Sequence, residues 1–283
     1  MSCFATLRNQ KKIKTKVIFQ FHINYPMRYF ICFSYCGSEY QGSQSQPESP
    51  TVQGELERAL SLILRQPTPV VMAGRTDAGV HAEEMWAHVD LPDTFPTEHL
   101  VFRLNGILPA DIALRRIVPV CESAHARFDA LSRTYEYRIT TQKDPFHIGT
   151  RTRVRKGLDF QRMNQAANSL IGKQDFQSFS RTKTDVKTFF CTITQAYWRI
   201  EKTDNAGHVL EATFVITANR FLRNMVRAIG GTLFEIGYGK RDVEDMETVI
   251  AARDRRAAGE SAPANGLFLT QISYPSSIFM PIP

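Results

Sequence analysis

The order of apolar patterns repeats along this chain, and that repeat narrows the folds open to it. In each half a strand-like stretch, a polar loop, a helical periodicity and further strand-like stretches follow one another. Tyr29 to Tyr35 is rich in aromatic and β-branched residues, and Val70–Ala73, Met85–Leu91 and Ile112–Val118 read as further strands. Between them Val52, Leu56, Ala59, Leu60, Ile63 and Leu64 share one helical face, opened by Ser49–Pro50 and closed by Pro67 and Pro69. Thr97 caps a second helix to about Asn105.

In the second half Thr134–Thr141 alternates, with Tyr135, Tyr137 and Ile139 on one face. Asp159 caps a helix that Gly172 stops, and Cys191–Glu201 and Val209–Thr217 form a hairpin around Asp204–Gly207. The spacing predicts a long helix from Asn219 to about Ile236, another from Asp242 to about Arg253, and a last strand over Leu267–Tyr274. The fold class is therefore α+β: two similar α/β lobes, 27–130 and 131–275, with mainly antiparallel sheets and a tail at 276–283. No Gly/Ser-rich linker parts the lobes near residue 130, so they are expected to share one sheet.

Of 283 residues 43% are hydrophobic and 22% charged, which excludes global disorder. Lys and Arg outnumber Asp and Glu 35 to 28, giving +7, a balance that favours a polyanionic partner through counterion release. The cysteines (Cys3, Cys32, Cys36, Cys121 and Cys191) are odd in number and scattered; without finger spacing they predict no metal site and a reduced, cytoplasmic protein. No run approaches the ~18 apolar residues of a membrane helix. Lys11, Lys12, Lys14 and Lys16 precede Val17–Phe21, but that apolar run is too short for a signal peptide. Residues 1–26 are read as an upstream extension or start-site artefact, with Met27 opening the first strand.

The sharpest chemical feature is Gly74–Arg75–Thr76–Asp77–Ala78–Gly79–Val80–His81–Ala82, following a short buried strand. An aspartate in such a turn often only satisfies its own backbone. Loops at strand ends also carry chemistry, and two glycines let backbone approach a ligand. An ionised carboxylate there can serve as nucleophile or general base.

These nine residues resemble the signature of the tRNA pseudouridine synthase A family. The resemblance continues through Met27–Gln41, Thr51–Leu56, Arg133–Tyr137, Asp175–Phe179, Phe221–Gly231 and Pro263–Leu269. It implies the pseudouridine synthase fold, two lobes joined across a central cleft. It implies isomerisation of tRNA uridines at about positions 38–40 of the anticodon stem-loop, a chemistry that requires extruding the base. It implies a homodimer and no cofactor; no membrane partner is expected, because no apolar run is long enough to span one. Asp77 matches the essential aspartate, Tyr135 the active-site tyrosine, and Arg227 the arginine that pairs with the carboxylate. Leu267 matches a residue lining the base pocket, and Arg75 an arginine that helps hold the nucleotide out of its stack. The segment Arg181–Thr188 lacks a cysteine found in many members around that loop, which leaves target-site range open.

Arg220, Arg223 and Arg227, three and four apart, are expected on one face of the helix from Asn219 as an RNA-binding stripe, with no acidic residue interleaved over 218–234. Arg151, Arg153 and Arg155 alternate on an extended segment and suit either RNA or a charged sheet edge. His81 and His88 are read as structural or peripheral, His81 with a possible RNA contact. A tRNA-binding or chaperone protein without catalysis, and a small-molecule enzyme using the 74–82 loop as an anion site, are the competing classes. No phosphate-loop or dinucleotide fingerprint backs the latter.

Overall fold

The structure is a computed structural model that describes residues 26–92, 96–182 and 186–280. The expected N-terminal extension lies outside the described residues apart from Pro26.

The first lobe runs β1 (Pro26–Tyr35), α1 (Val52–Leu64), β2 (Val71–Met72), β3 (His81–Pro92), α2 (Thr97–Asn105) and β4 (Ile112–Pro119). The second runs β5 (Ser132–Thr140), β6 (Thr152–Arg153), α3 (Phe160–Asn168), β7 (Gly172–Asp175), β8 (Phe190–Thr203), β9 (Val209–Ala218), α4 (Met225–Gly237), α5 (Asp245–Ala252) and β10 (Leu267–Ser273). The strands form one sheet in the order β4-β1-β3-β10-β5-β9-β8-β7, with β2 on β3 and β6 on β5. This is the α+β architecture, and the expected continuous sheet.

The junction is made by the last strand. β10 lies parallel to β3, Phe268 opposite His81, and antiparallel to β5, Leu269 opposite Tyr135. Most other pairs are antiparallel, as short connections allow. The strand after the catalytic loop candidate is thereby locked to the strand carrying Tyr135.

Local chemistry accounts for the helix ends. Thr51 caps α1 by accepting from the Gly54 N–H, and Asp159 caps α3 by accepting from the Arg162 N–H. Thr97 is inside α2, and Pro96 precedes it without a side-chain cap. α5 starts at Asp245, three residues after the expected Asp242, whose own N–H bonds back to the Asp245 carboxylate. Two apolar cores result. One packs Val52, Leu56 and Leu60 of α1 under Ile31 and Phe33 of β1; the other packs Met163, Phe214, Ile229 and Leu233. Each such side chain contributes about 1.5–3 kcal/mol by leaving water.

The largest departure is α4. It begins at Met225, not near Asn219. The Asn219 side chain is used elsewhere, accepting from the Thr192 N–H of β8. Asn224 adopts a left-handed conformation, φ 67°, and interrupts any helix running through it. Residues 220–223 are therefore a loop, and the shared helical face drawn through Arg220, Arg223 and Arg227 does not exist.

Candidate active site

Asp77 opens a tight turn closed by the Val80 N–H on the Asp77 carbonyl, with Gly79 at φ +76° where glycine is favoured. The residue before it is clamped. The Thr76 hydroxyl lies 2.7 Å from the buried Tyr35 hydroxyl, the Thr76 N–H donates to Ser43 Oγ at 2.8 Å, and the Ser43 N–H donates to the Thr76 carbonyl at 3.2 Å. Gly42 makes this contact possible: it sits at φ +107°, and a Cβ there would lie 2.8 Å from the Thr76 carbonyl oxygen. The Gln-rich loop after β1 thus grips the backbone that presents the carboxylate.

The facing wall comes from the second lobe. Arg227 lies in the first turn of α4, and its Nε donates to the Ala262 carbonyl at 2.7 Å while the Ala262 N–H donates to the Arg227 carbonyl at 2.9 Å. That reciprocal pair needs segment 260–262 to run hard against the helix. Gly231 provides the room, since a Cβ there would lie 1.6 Å from the Glu260 carbonyl oxygen. Backbone packing therefore explains this mid-helix glycine.

Arg227 Nη1 stands 3.5 Å from Asp77 Oδ2, and Arg223 Nε stands 3.7 Å from Asp77 Oδ1. Among the described residues no donor makes a hydrogen bond to the carboxylate. The two cations hold it by charge while leaving its oxygens room for a reactant. Around them opens a cleft of about 550 Å³, lined by Gln41, Gln46, Arg75, Asp77 and Ala78 from one lobe and by Arg181, Thr182, Arg223, Asn224, Arg227, Arg255 and Ser261 from the other. Among the described residues that line it there are five arginines and one carboxylate, which makes it a cationic space.

Tyr135 stacks edge-on against Phe221 with ring centroids 5.2 Å apart. Burial pushes its phenol up to about 12; Arg133 acts to lower it and Asp77 to raise it, so the tyrosine senses both charges. Arg75 is exposed on the cleft rim. Leu267 is buried in the second core, opposite Tyr137 in register, and is not among the cleft-lining residues. Arg220 is half-buried beside Arg133 and Cys191, on the loop before α4, and does not line the cleft either.

Sequence reasoning missed several groups. Arg133 donates to four backbone carbonyls, those of Ala73, Arg127, Ala130 and Asn219. It ties the strand end before Gly74 to the loop carrying Arg223. Gln41, Gln46, Asn224, Arg255 and Ser261 also line the cleft without having been singled out. The Gln and Ser richness of the 37–50 loop was the one visible signal for the first two.

His81 is structural. Its Nδ1 accepts from the Gly37 N–H at 3.0 Å, so Nε2 carries the proton and donates to the Asn265 carbonyl at 3.2 Å; the ring stacks on Phe268, and burial lowers its pKa. His88 is similar: Nδ1 accepts from the Ala126 N–H, and burial lowers its pKa to about 4. Arg151 pairs with Glu211 at 3.1 Å. Among the described residues no group of three or more His, Cys, Asp or Glu could hold a metal ion, and no helix is long and apolar enough to cross a membrane.

A family profile described as tRNA pseudouridine synthase matches residues 166–275. The chain is 52% identical over 255 residues to a tRNA pseudouridine synthase A of Porphyromonas gingivalis, covering 89% of this chain and 99% of that protein. The chain belongs to the tRNA pseudouridine synthase A family. Other members are similar over comparable lengths. The protein of that name from Bacteroides thetaiotaomicron is 50% identical over 89% of this chain and 92% of its own, and that from Bacillus subtilis is 38% identical over 88% and 99%. A match covering 89% of this chain includes Asp77, Arg223 and Arg227 wherever it starts, so the family likeness spans both walls of the cleft, while Tyr135, also within it, is not among the cleft-lining residues.

Proposed function

We propose that this protein isomerises uridine to pseudouridine in tRNA, at about positions 38–40 of the anticodon stem-loop, on a base extruded into the cleft. Isomerisation of tRNA uridine is the activity that the family and the names of its members support. The observation that carries the catalytic reading is the placing of Asp77 in the cleft, charge-paired with Arg223 and Arg227 from the facing wall.

The reaction exchanges one bond for another. The bond from uracil N1 to ribose C1′ breaks, the base turns, C5 bonds to C1′, and the C5 proton leaves while N1 gains one. Atoms and electrons balance without an external oxidant or reductant. Asp77 either bonds to C1′ or promotes formation of a glycal, and both routes need a charged carboxylate aimed at the sugar. Arg223 and Arg227 orient it. Tyr135 offers a ring to stack on the uracil and a hydroxyl to take part in the proton shift at C5. Arg75, on the rim, helps hold the nucleotide out of the helix. Leu267, beside Tyr137 in the sheet, and Arg220, on the loop before α4, stand outside the cleft lining and are given no contact with the substrate.

The protein works in the cytoplasm as a homodimer, and exposed Phe146 and Ile148 are apolar surface for a second copy to cover. Incubation with an unmodified tRNA transcript, followed by carbodiimide mapping of pseudouridine, tests reaction and position together. Stops confined to the anticodon stem-loop are expected; an unmodified transcript would overturn the reading.

A further inference from the structure

Asp77 and its two guanidinium partners do not account for the whole cationic cleft. Arg255 also lines it, and among the described residues no carboxylate pairs with Arg255. This arginine opens a one-turn 3-10 helix, Arg255–Ala257, capped by Asp254. That turn is fastened to the second lobe by the Asp254 N–H on Ser178 Oγ.

The Arg255 guanidinium is held in one pose. Nη1 donates to the carbonyls of Ala258, at 3.3 Å, and Gly259, at 3.0 Å, while Nη2 donates to Ser261 Oγ at 2.9 Å. These use three of the five N–H groups an arginine carries. The Nε–H and one Nη2–H have no partner among the described residues.

The Ser261 Oγ accepts from Arg255 Nη2 and, at 2.7 Å, from Asn224 Nδ2. A hydroxyl oxygen has two lone pairs, and both are taken. Its single hydrogen can then only donate outward, and Ser261 faces the cleft. The corner thus offers a fixed positive charge, spare N–H donors and one O–H donor against a single open acceptor, Asn224 Oδ1. A base edge presents donors and acceptors in near balance and matches this excess of donors less well. An oxyanion with several acceptor oxygens matches it well.

We propose that Arg255 and Ser261, the latter set by Asn224, bind one backbone phosphodiester of the RNA beside the nucleotide that meets Asp77. The proposal rests on the tRNA reading above and adds a second anchoring point to it. Held there, the strand cannot slide while the neighbouring base is extruded.

Phosphate-ethylation interference on whole tRNA tests this with wild type, Arg255→Ala and Ser261→Ala. Ethylation neutralises one phosphate per molecule, so each position that excludes binding marks a contact. The wild-type pattern is expected to contain one phosphate that drops out in both variants while the other positions persist. Arg255→Ala should also weaken affinity about tenfold and make the slope of log Kd against log salt shallower by about 0.7. Ser261→Ala leaves the arginine and its turn in place, so it decides the matter should Arg255→Ala fail to fold. An identical pattern in wild type and Ser261→Ala overturns the phosphate site alone. A wild type that shows no interference anywhere overturns the tRNA reading and the site together.

Discussion

Arg227 reaches Asp77 across the junction of the two lobes, Nη1 to Oδ2 at 3.5 Å, while its Nε is tied to the Ala262 carbonyl at 2.7 Å. One guanidinium thus serves two masters. Its Nε–H fixes the arginine to backbone that Gly231 lets close in, and its outer edge carries the charge to the carboxylate.

That division of labour predicts an asymmetry between substitutions. A lysine cannot serve both points with one ammonium. Arg227→Lys should lower turnover about a hundredfold, a barrier rise of about 2.7 kcal/mol, and Arg227→Ala at least as much. Arg227→Ala should also flatten the salt dependence of tRNA affinity by about one contact. Single-turnover rates and a salt series measure both; a wild-type slope would remove Arg227 from the RNA-facing surface.

Tyr135→Phe keeps the ring and loses the hydroxyl. Turnover should fall tenfold to a thousandfold with tRNA affinity changed less than about threefold. Because burial raises the phenol to about 12, the wild-type rate should show no limb from this group between pH 7 and 10. The linked stability has a definite sign. The folded pKa exceeds the unfolded value of 10, so the stabilisation is fully present below pH 10 and is lost as pH rises from 10 toward 12. Thermal melts of both proteins across that range should show the phenylalanine variant losing less.

Gly42→Ala tests the grip on the Asp77 loop without touching the cleft charges. A Cβ 2.8 Å from the Thr76 carbonyl oxygen, on a residue at φ +107°, forces the loop to shift. A loss of about 1–3 kcal/mol of stability and roughly tenfold in turnover is expected. A variant with normal melting and normal turnover would show that the contact does not position Asp77.

His88 makes the protein acid-sensitive. Its folded pKa, lowered by burial to about 4, lies below the ordinary 6.5. The unfolded chain binds the proton first, so stability falls as pH drops from 6.5 toward 4, by at most about 1.4 kcal/mol per pH unit. Protonation would also end the acceptance from the Ala126 N–H. His88→Asn, which keeps an acceptor but does not titrate, should flatten the melting temperature against pH in this window.

Much of this was legible in the residues. The α1 periodicity, the Asp159 cap and the hairpin around Gly207 all rest on local rules, and local contacts decide them. The Gly74–Ala82 loop stood out because its unusual residues are contiguous. What escaped depends on distant segments. Nothing near Asn219 says that its side chain will be drawn to Thr192 and the helix start deferred to Met225. β6 and β7 are two and four residues long, too short to show a period. The corner of Asn224, Arg255 and Ser261 forms only where segments over thirty residues apart meet on α4. Arg133 bonds only to backbone carbonyls, which leave no trace in the sequence.

The central claim is that the Asp77 carboxylate drives exchange of the glycosidic bond from N1 to C5, a step that must expel the hydrogen on C5. Tritium release from tRNA transcript made with uridine labelled at C5 reads that step directly. Wild type should release label, while Asp77→Asn should release none and still bind tRNA within about tenfold of wild type. Release by Asp77→Asn at the wild-type rate, or none from wild type, would contradict the account.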